Sequence, residues 1–297
     1  MSGPSIVWKA DLVLVFITLI WGATFVVVKH ALPGASTLLF LTLRFTLAAL
    51  VLAALYRGHF TESGPRRNLA LRGGVAAGLV LIVAYYFQTQ GLRFTTPSKS
   101  AFITGLSVVL VPLLAALVHR ILPSLSEVVG VLTATAGLAM MTVRWEDLRI
   151  EKGDALTMVC ALGFAVHILI VGRYSAAGGF AVLSVTQIAT AALAGWGTFW
   201  WLETPHIAWS PGLAAALAVT ALLATALAFT AMAWAQQHTS PTHTALIFAL
   251  EPVFAWFTSW LVEGETLGRT AAAGAALILA GVLLVELKPF RNRRNLN

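Results

Sequence analysis

Long apolar runs separated by short polar loops dominate the pattern of this chain. Each run holds about 20 mostly apolar residues, the length that an α-helix needs to cross a bilayer. We therefore predict an all-α membrane protein with ten transmembrane helices. The first run is longer than the apolar core of a signal peptide and leads straight into further spans, so we expect it to be retained. The predicted spans cover residues 11–29, 35–56, 72–92, 97–118, 124–143, 154–173, 180–202, 212–234, 241–262 and 269–287.

A polar turn that meets a proline occurs twice. Residues 94–101 read FTTPSKSA and residues 238–245 read HTSPTHTA, with Pro97 and Pro241 144 positions apart. Each turn predicts a helix start, because proline suits the first helical turn, where its missing N–H is not needed. The same offset pairs further positions: Ala101 with Ala245, Leu106 with Leu250, Gly130 with Gly274 and Gly137 with Gly281.

This offset divides the chain into two repeats of five spans. We predict a first repeat at residues 1–148, a second at 149–290 and a basic cytoplasmic tail at 291–297. Because five is an odd number, consecutive copies insert with opposite topology. Inverted repeats are typical of secondary transporters, which hold their substrate near the bilayer midplane between the repeats. Duplication that serves stability alone is the alternative.

Composition agrees with a membrane protein. Of the 297 residues, 59% are hydrophobic and 10% are charged, against about 25% charged in soluble domains. The net charge of +7 comes from basic residues in short loops, not from one basic face, which argues against nucleic-acid binding. Cys160 is the one cysteine, so neither an intrachain disulfide nor a cysteine metal cluster is available, and we expect no cofactor.

The distribution of lysine and arginine predicts the orientation. With the N-terminus inside, the cytoplasmic segments hold eleven of these residues and the outer segments hold seven. Two dense clusters, at 57–72 and 288–294, both fall inside. Positive residues favour the cytoplasmic side, so we expect both termini there.

Short motifs spread along the whole chain carry a family resemblance. They are residues 20–25 (IWGATF), 43–45 (LRF), 250–253 (LEPV) and 264–267 (GETL), together with the duplicated proline turn. In this order they resemble the EamA-type branch of the drug/metabolite transporter superfamily. The resemblance implies a multi-pass exporter of small metabolites, often amino acids, in a bacterial inner membrane. It also implies a central cavity lined mainly by spans one, three, four, six, eight and nine.

The resemblance has one departure. The first repeat has HRI at residues 119–121 where the second has EGE at 263–265, although the family often has an acidic residue there in both copies. We assign these positions no role in transport.

Two charged residues lie deep inside predicted spans, away from the span ends. Arg44 is about eight residues inside span two, and Glu251 lies at a similar depth in span nine. A charged residue within the membrane is costly and needs a partner, so we predict that the two side chains form a buried pair. One interpretation is a structural ion pair, and the other is a protonatable coupling site.

Aromatic and amide side chains occupy related places in four spans. Any one of these aromatic residues, taken alone, is interpreted as a packing residue. Their occurrence at related places in four spans predicts that together they form the walls of a binding cavity. Such walls suit amphipathic solutes, with apolar or aromatic amino acids favoured. The candidate substrate-binding residues are Trp21, Thr24, Tyr86, Gln90, His167 and Trp234.

Two further features concern the ends and the bending of the spans. Lys99 and His243 are related by the repeat, and they either extend toward the membrane interface or meet a substrate carboxylate at the two mouths. Gly105, Pro112 and Pro252 are candidate hinges in spans four and nine, since a proline within a helix permits a kink.

The sequence thus predicts a carrier that exports small metabolites by alternating access, with the bilayer and a small molecule as partners and a monomer as the expected state. Intramembrane enzymes are disfavoured because no Gly-x-Ser-x-Gly or His-Glu-x-x-His motif occurs and the aspartates lie near span ends. A channel is also disfavoured, because its filter repeats with parallel symmetry, whereas this repeat is inverted.

Overall fold

The structure is a computed structural model that describes residues 4–60, 64–119, 123–142, 151–264 and 268–287. Throughout these ranges the chain is helical and has no strands, apart from an isolated β-bridge between Ala35 and Ile207. The helices are α1 (Pro4–Ala31), α2 (Thr37–Tyr56), α3 (Pro65–Leu92), α4 (Pro97–Gly105), α5 (Ser107–His119), α6 (Leu125–Thr142), α7 (Lys152–Gly178), α8 (Phe180–Leu202), α9 (Pro211–Ala221), α10 (Ala228–Ala235), α11 (Pro241–Phe248), α12 (Glu251–Glu263) and α13 (Arg269–Leu287).

Eight segments of the described chain are long and apolar enough to cross a membrane. They correspond to predicted spans one to four and six to nine. At the places of spans five and ten, the structure has shorter apolar stretches, Leu125–Met140 and Arg269–Val285. The all-helical membrane fold is therefore confirmed, whereas the count of ten spans is not. The repeat boundary at 148/149, Arg120 and the tail at 291–297 lie outside the described residues.

The duplicated proline turn starts a helix in both repeats, as predicted. Pro97 begins α4, where the Thr96 hydroxyl accepts a hydrogen bond from the backbone N–H of Lys99 at 3.2 Å. Pro241 begins α11, where the Ser240 hydroxyl accepts one from the backbone N–H of His243 at 3.1 Å. Both turns are N-caps of the same kind, a hydroxyl followed by proline, so local sequence alone determines them.

Three spans are interrupted within the membrane. Span four breaks at Leu106, between α4 and α5, and span nine breaks around Leu250, between α11 and α12. Leu106 and Leu250 are repeat counterparts, so the two interruptions are related by the duplication. In span eight, a π-helical turn at Leu222–Leu227 joins α9 to α10.

Helices α6 and α13 pack so closely that only glycine fits at their contact. A Cβ atom on Gly137 would lie 2.5 Å from the Gly274 carbonyl oxygen, and one on Gly281 would lie 2.7 Å from the Gly130 carbonyl oxygen. The earlier glycine of α6, Gly130, thus meets the later glycine of α13, Gly281, and Gly137 meets Gly274. The two helices are therefore antiparallel. Since Gly130 and Gly137 have Gly274 and Gly281 as repeat counterparts, exchanging the repeats reproduces the same pair of contacts. This is the relation expected of inverted repeats.

Candidate functional site

A central cavity lies between the two repeats. All six spans that the family resemblance implied contribute to it, and span two adds Arg44. The space between its side chains is about 680 Å³, including the part that opens to the exterior. It is lined by Trp21, Thr24, Phe25, Val28, Arg44, Tyr85, Gln88, Thr89, Leu92, Thr104, Ser107, Phe164, His167, Ile168, Phe229, Met232, Phe248 and Glu251. The lining combines aromatic rings with few charged groups, as ligand sites do.

The π-helical turn of span eight supplies one polar group to this cavity. Its wider winding leaves the Ala224 carbonyl oxygen to accept hydrogen bonds from outside its own helix. Trp21 donates to it through Nε1 at 2.9 Å, and Arg44 donates through Nη2 at 3.3 Å. Single π-turns of this kind are frequent at functional sites. Sequence reasoning missed this turn, because residues 222–227 (LLATAL) read as ordinary helix.

Arg44 is bound by neutral groups. Its Nε donates to Thr225 Oγ1 at 2.7 Å, and its Nη2 donates to the Tyr85 hydroxyl at 3.1 Å. The guanidinium carbon also lies 4.5 Å from the centre of the Tyr85 ring. In the described part of the chain, no carboxylate lies within 4 Å of Arg44. The direct ion pair with Glu251 that we predicted is therefore absent, because the π-turn and Tyr85 supply the partners instead.

Glu251 is the first residue of α12, directly after the break in span nine, and its side chain lines the cavity. The residue is 8% exposed. Among the described residues, no donor or cation lies within bonding distance of its carboxylate oxygens. The cavity thus holds a cation that is largely satisfied and a carboxyl group that is not.

His167 lines the cavity, as does Thr24, its rough counterpart in the other repeat. The His167 ring shares a hydrogen bond of 2.9 Å between Nε2 and Gln187 Oε1. Gln187 is the repeat counterpart of Arg44, so each repeat places a polar residue of its second span against the cavity wall. The Thr24 hydroxyl donates to the Trp21 carbonyl oxygen at 2.8 Å, which leaves its lone pairs to face a ligand.

Three predicted wall residues lie elsewhere. Tyr86 packs against Phe87, with ring centres 5.5 Å apart, and Trp234 packs against His238 at 5.2 Å. Gln90 accepts a hydrogen bond from Thr37 Oγ1 at 2.7 Å, in a separate surface pocket.

From spans three and eight, the side chains that line the cavity are Tyr85, Gln88, Thr89 and Leu92 in α3, and Phe229 and Met232 in α10. The four α3 residues have the i, i+3, i+4, i+7 spacing of one helix face. This spacing is the sequence signal by which they could have been predicted. We predicted Tyr86 and Gln90 instead, which are four residues apart and also share one face of this helix.

The two predicted mouth residues lie away from the cavity, and each has an aspartate partner. Lys99 Nζ is 2.8 Å from Asp154 Oδ2 and 3.9 Å from Glu151 Oε2. His243 Nε2 is 3.0 Å from Asp11 Oδ1. The sequence placed all these aspartates near span ends but did not connect them with Lys99 and His243.

The candidate hinges fall at or near the interruptions of the spans. Gly105 is the last residue of α4. Pro252 is the second residue of α12, in the first helical turn, where the backbone N–H that proline lacks is not needed for a helical hydrogen bond. Pro112 lies inside α5, which continues past it. Whether these residues bend during transport stays a prediction.

Comparison with known proteins follows the same division into repeats. The sequence matches the EamA-like transporter family over residues 8–143 and again over residues 151–287. A transporter of Archaeoglobus fulgidus, described as uncharacterized, is 33% identical over 279 residues, which cover 94% of this chain and 86% of the relative. A second uncharacterized transporter of that organism is 24% identical, over 94% of this chain and 98% of the relative.

One solved structure supports the same architecture. A protein crystal structure with 18% sequence identity superposes with a TM-score of 0.72, over 94% of this chain and 97% of the other. This likeness concerns the fold alone. The two family matches together span nearly all of the sequence, one in each repeat. The chain therefore belongs to the EamA-like transporter family and is a multi-pass membrane protein.

Proposed function

We propose that this protein is a secondary carrier that exports small metabolites by alternating access, with apolar and aromatic amino acids as favoured cargo. The observation that carries the proposal is the central cavity between the two repeats, whose walls hold aromatic rings together with Arg44 and Glu251. Helix interruptions at Leu106 and Leu250 reach this cavity from both repeats. Discontinuous helices at the interface of inverted repeats are typical of substrate sites in carriers.

The residues of the cavity suit such a cargo. Trp21 forms an edge-to-face pair with Phe248, with ring centres 5.0 Å apart, and a tilted pair with Phe229 at 5.2 Å. These rings offer apolar faces to a side chain and attract an ammonium group by cation–π interaction. Hydroxyl and amide groups of Thr24 and Gln88 add hydrogen bonds without a fixed charge. Such a site binds weakly and broadly, which allows an exporter to release its cargo.

We place the protein in the cell membrane of a bacterium, with both termini in the cytoplasm and as a monomer. The lysine and arginine distribution supports the orientation. In this orientation, α1 and α3 run outward, so Val28 and Leu92 form the outer part of the cavity wall, and the start of α11 lies on the cytoplasmic side. The cavity wall extends from these outer residues to Phe229 and Met232 in α10, toward the cytoplasmic side.

A counterflow screen of the twenty amino acids in proteoliposomes tests this function. We expect saturable exchange, strongest for large apolar and aromatic amino acids, because the aromatic wall favours them. Trp21→Ala should reduce this exchange at unchanged protein level. Trp201→Ala is the matched control, since Trp201 is 86% exposed on the surface of α8 and should have no effect. Ion conductance without saturable exchange would contradict the carrier and favour a channel, and absence of any exchange would contradict the amino-acid cargo.

A further inference from the structure

The Glu251 carboxylate is the most prominent unsatisfied group of the cavity. It is 8% exposed and lies on the cavity wall, and no described residue donates a hydrogen bond or a positive charge to it. A carboxyl group buried without a partner costs free energy, whether it is ionised or neutral. A positively charged ligand would remove this cost when it binds.

Aromatic rings line the same cavity as Glu251. Helix α12 contacts α1 at Gly22, where a Cβ atom would lie 2.8 Å from the Glu251 carbonyl oxygen. The next residue of α1 toward the N-terminus is Trp21, and its indole ring meets the ring of Phe248, three residues before Glu251. A carboxylate beside aromatic faces in a desolvated site is the combination that recognises organic ammonium groups.

The cation of the cavity is less available to a ligand. Carboxylates bind arginine best through two parallel hydrogen bonds from adjacent nitrogens of the guanidinium group. Arg44 has already committed Nε to Thr225, and both hydrogens of Nη2 to Tyr85 and the Ala224 carbonyl oxygen. Only Nη1 has no partner among the described residues. Arg44 can therefore give a ligand carboxylate bonds from one nitrogen, not from the fork.

From this asymmetry we infer that Glu251 is the ammonium-binding residue of the cavity and that the substrate class is amphipathic organic amines. Amino acids belong to this class through their ammonium group, and their carboxylate is accepted without being required. Arg44 is a positioning residue that fixes Tyr85 and the π-turn. The inference rests on the proposed carrier function and specifies which charged group of the cargo the site recognises.

Three probes that share one aromatic ring separate the two charged groups. L-phenylalanine has both, phenethylamine has the ammonium group alone, and 3-phenylpropionate has the carboxylate alone. Binding to the purified protein in detergent is measured by saturation-transfer NMR, and transport by competition against phenylalanine counterflow. We expect phenylalanine and phenethylamine to bind and compete within about tenfold of each other, and 3-phenylpropionate to do so at least about tenfold more weakly.

Variants of Glu251 give the second arm. Glu251→Gln should weaken phenethylamine and phenylalanine binding about tenfold or more, whereas Glu251→Asp, which keeps the carboxylate, should retain part of it. Glu127→Gln is the control, because Glu127 lies outside the cavity at the start of α6 and an amide oxygen can still accept its hydrogen bond from the Ser124 N–H. Thermal unfolding of each variant shows whether it is folded.

The outcomes separate this inference from the proposed function. Binding of 3-phenylpropionate as tight as that of phenethylamine overturns the inference, and so does a folded Glu251→Gln variant with unchanged amine binding, even if amino acids are transported. Glu251-dependent amine binding without transport upholds the ammonium site and overturns the carrier function.

Discussion

The Lys99 ammonium lies 2.8 Å from the Asp154 carboxylate and joins α4 of the first repeat to α7 of the second. The repeat counterpart of this pair is His243 with Asp11, at 3.0 Å, which joins α11 to α1. Lys99 and His243 are 144 positions apart, and Asp11 and Asp154 are 143 apart. Because the repeats are inverted, the two pairs lie at opposite faces of the membrane in the proposed topology. We interpret the two pairs as structural contacts between the repeats at the two mouths, which are the openings of the transport path on either side of the membrane, rather than as binding sites for cargo.

If Lys99 holds a mouth, its removal should affect all substrates alike. We expect Lys99→Met to change phenylalanine and phenethylamine counterflow by the same factor. In a double-mutant cycle with Asp154→Asn, the stability coupling should be about 0.5–1 kcal/mol, since the Lys99 side chain is 37% exposed and partly screened. Lys152→Met, which removes a neighbouring cation that lies over the Phe94 ring, is the control. A loss confined to carboxylate-bearing substrates would show instead that Lys99 meets the cargo.

The glycines between α6 and α13 give a prediction about stability. Gly137→Ala places a Cβ atom 2.5 Å from a backbone oxygen that cannot move without shifting α13. Overpacking of this kind costs about 1–3 kcal/mol, so we expect a lower unfolding temperature in detergent and a lower folded yield. Gly197→Ala is the matched control within helix α8, where no other helix of the described chain comes within 4 Å of the added Cβ. Equal stability of the two variants would contradict the close antiparallel packing.

The hydrogen bonds of Arg44 give a prediction about coupling. A double-mutant cycle of Arg44→Gln and Thr225→Val should show a coupling of about 1.5–3 kcal/mol, the range for a hydrogen bond to a charged group. The corresponding cycle of Arg44→Gln with Glu251→Gln should be additive within about 0.5 kcal/mol, because the two side chains share no direct contact. Chemical unfolding followed by tryptophan fluorescence measures both cycles. Strong coupling to Glu251 and none to Thr225 would restore the buried ion pair.

These residues show what the sequence determines. The helix starts at Thr96 and Ser240 were predictable because an N-cap depends on a few adjacent residues. Trp21, Arg44 and Glu251 were identified because a polar or bulky group in an apolar span needs a specific environment. The family and the repeat were recognisable for a similar reason, since the duplicated turn and the glycine pairs keep a fixed offset over nearly half the chain.

The rest depended on packing between distant segments. Tyr85 and Gln88, rather than Tyr86 and Gln90, face the cavity because α3 packs on α7 and α8 through its glycine positions, which fixes its rotation. Arg44 binds the Ala224 carbonyl oxygen because a π-turn exposes it, and no residue type announces that turn. The aspartate partners of Lys99 and His243 could have been predicted from the repeat offset. That prediction requires Asp11 and Asp154 to be recognised as repeat counterparts.

Orientation is testable at exposed positions on the two sides. In a Cys160→Ser background, we expect His59→Cys to react with a membrane-impermeant maleimide only after the membrane is opened. Thr204→Cys, in the loop before α9, should react in intact cells. Both positions are solvent-exposed, so a difference reflects sidedness rather than burial. Labelling of both positions in intact cells would contradict the proposed topology.

Alternating access by exchange between the repeats is the central claim, and spin-label distances test it most directly. One label pair, at Phe94 and Ala155, reports the mouth held by Lys99. The second label pair, at His238 and Leu12, reports the mouth held by His243. His238 is the repeat counterpart of Phe94 at an offset of 144, and Leu12 is that of Ala155 at an offset of 143. We predict that phenylalanine, added to the reconstituted Cys160→Ser protein, lengthens one distance distribution while it shortens the other. A change in the same sense at both mouths, or no change while counterflow proceeds, would contradict the account.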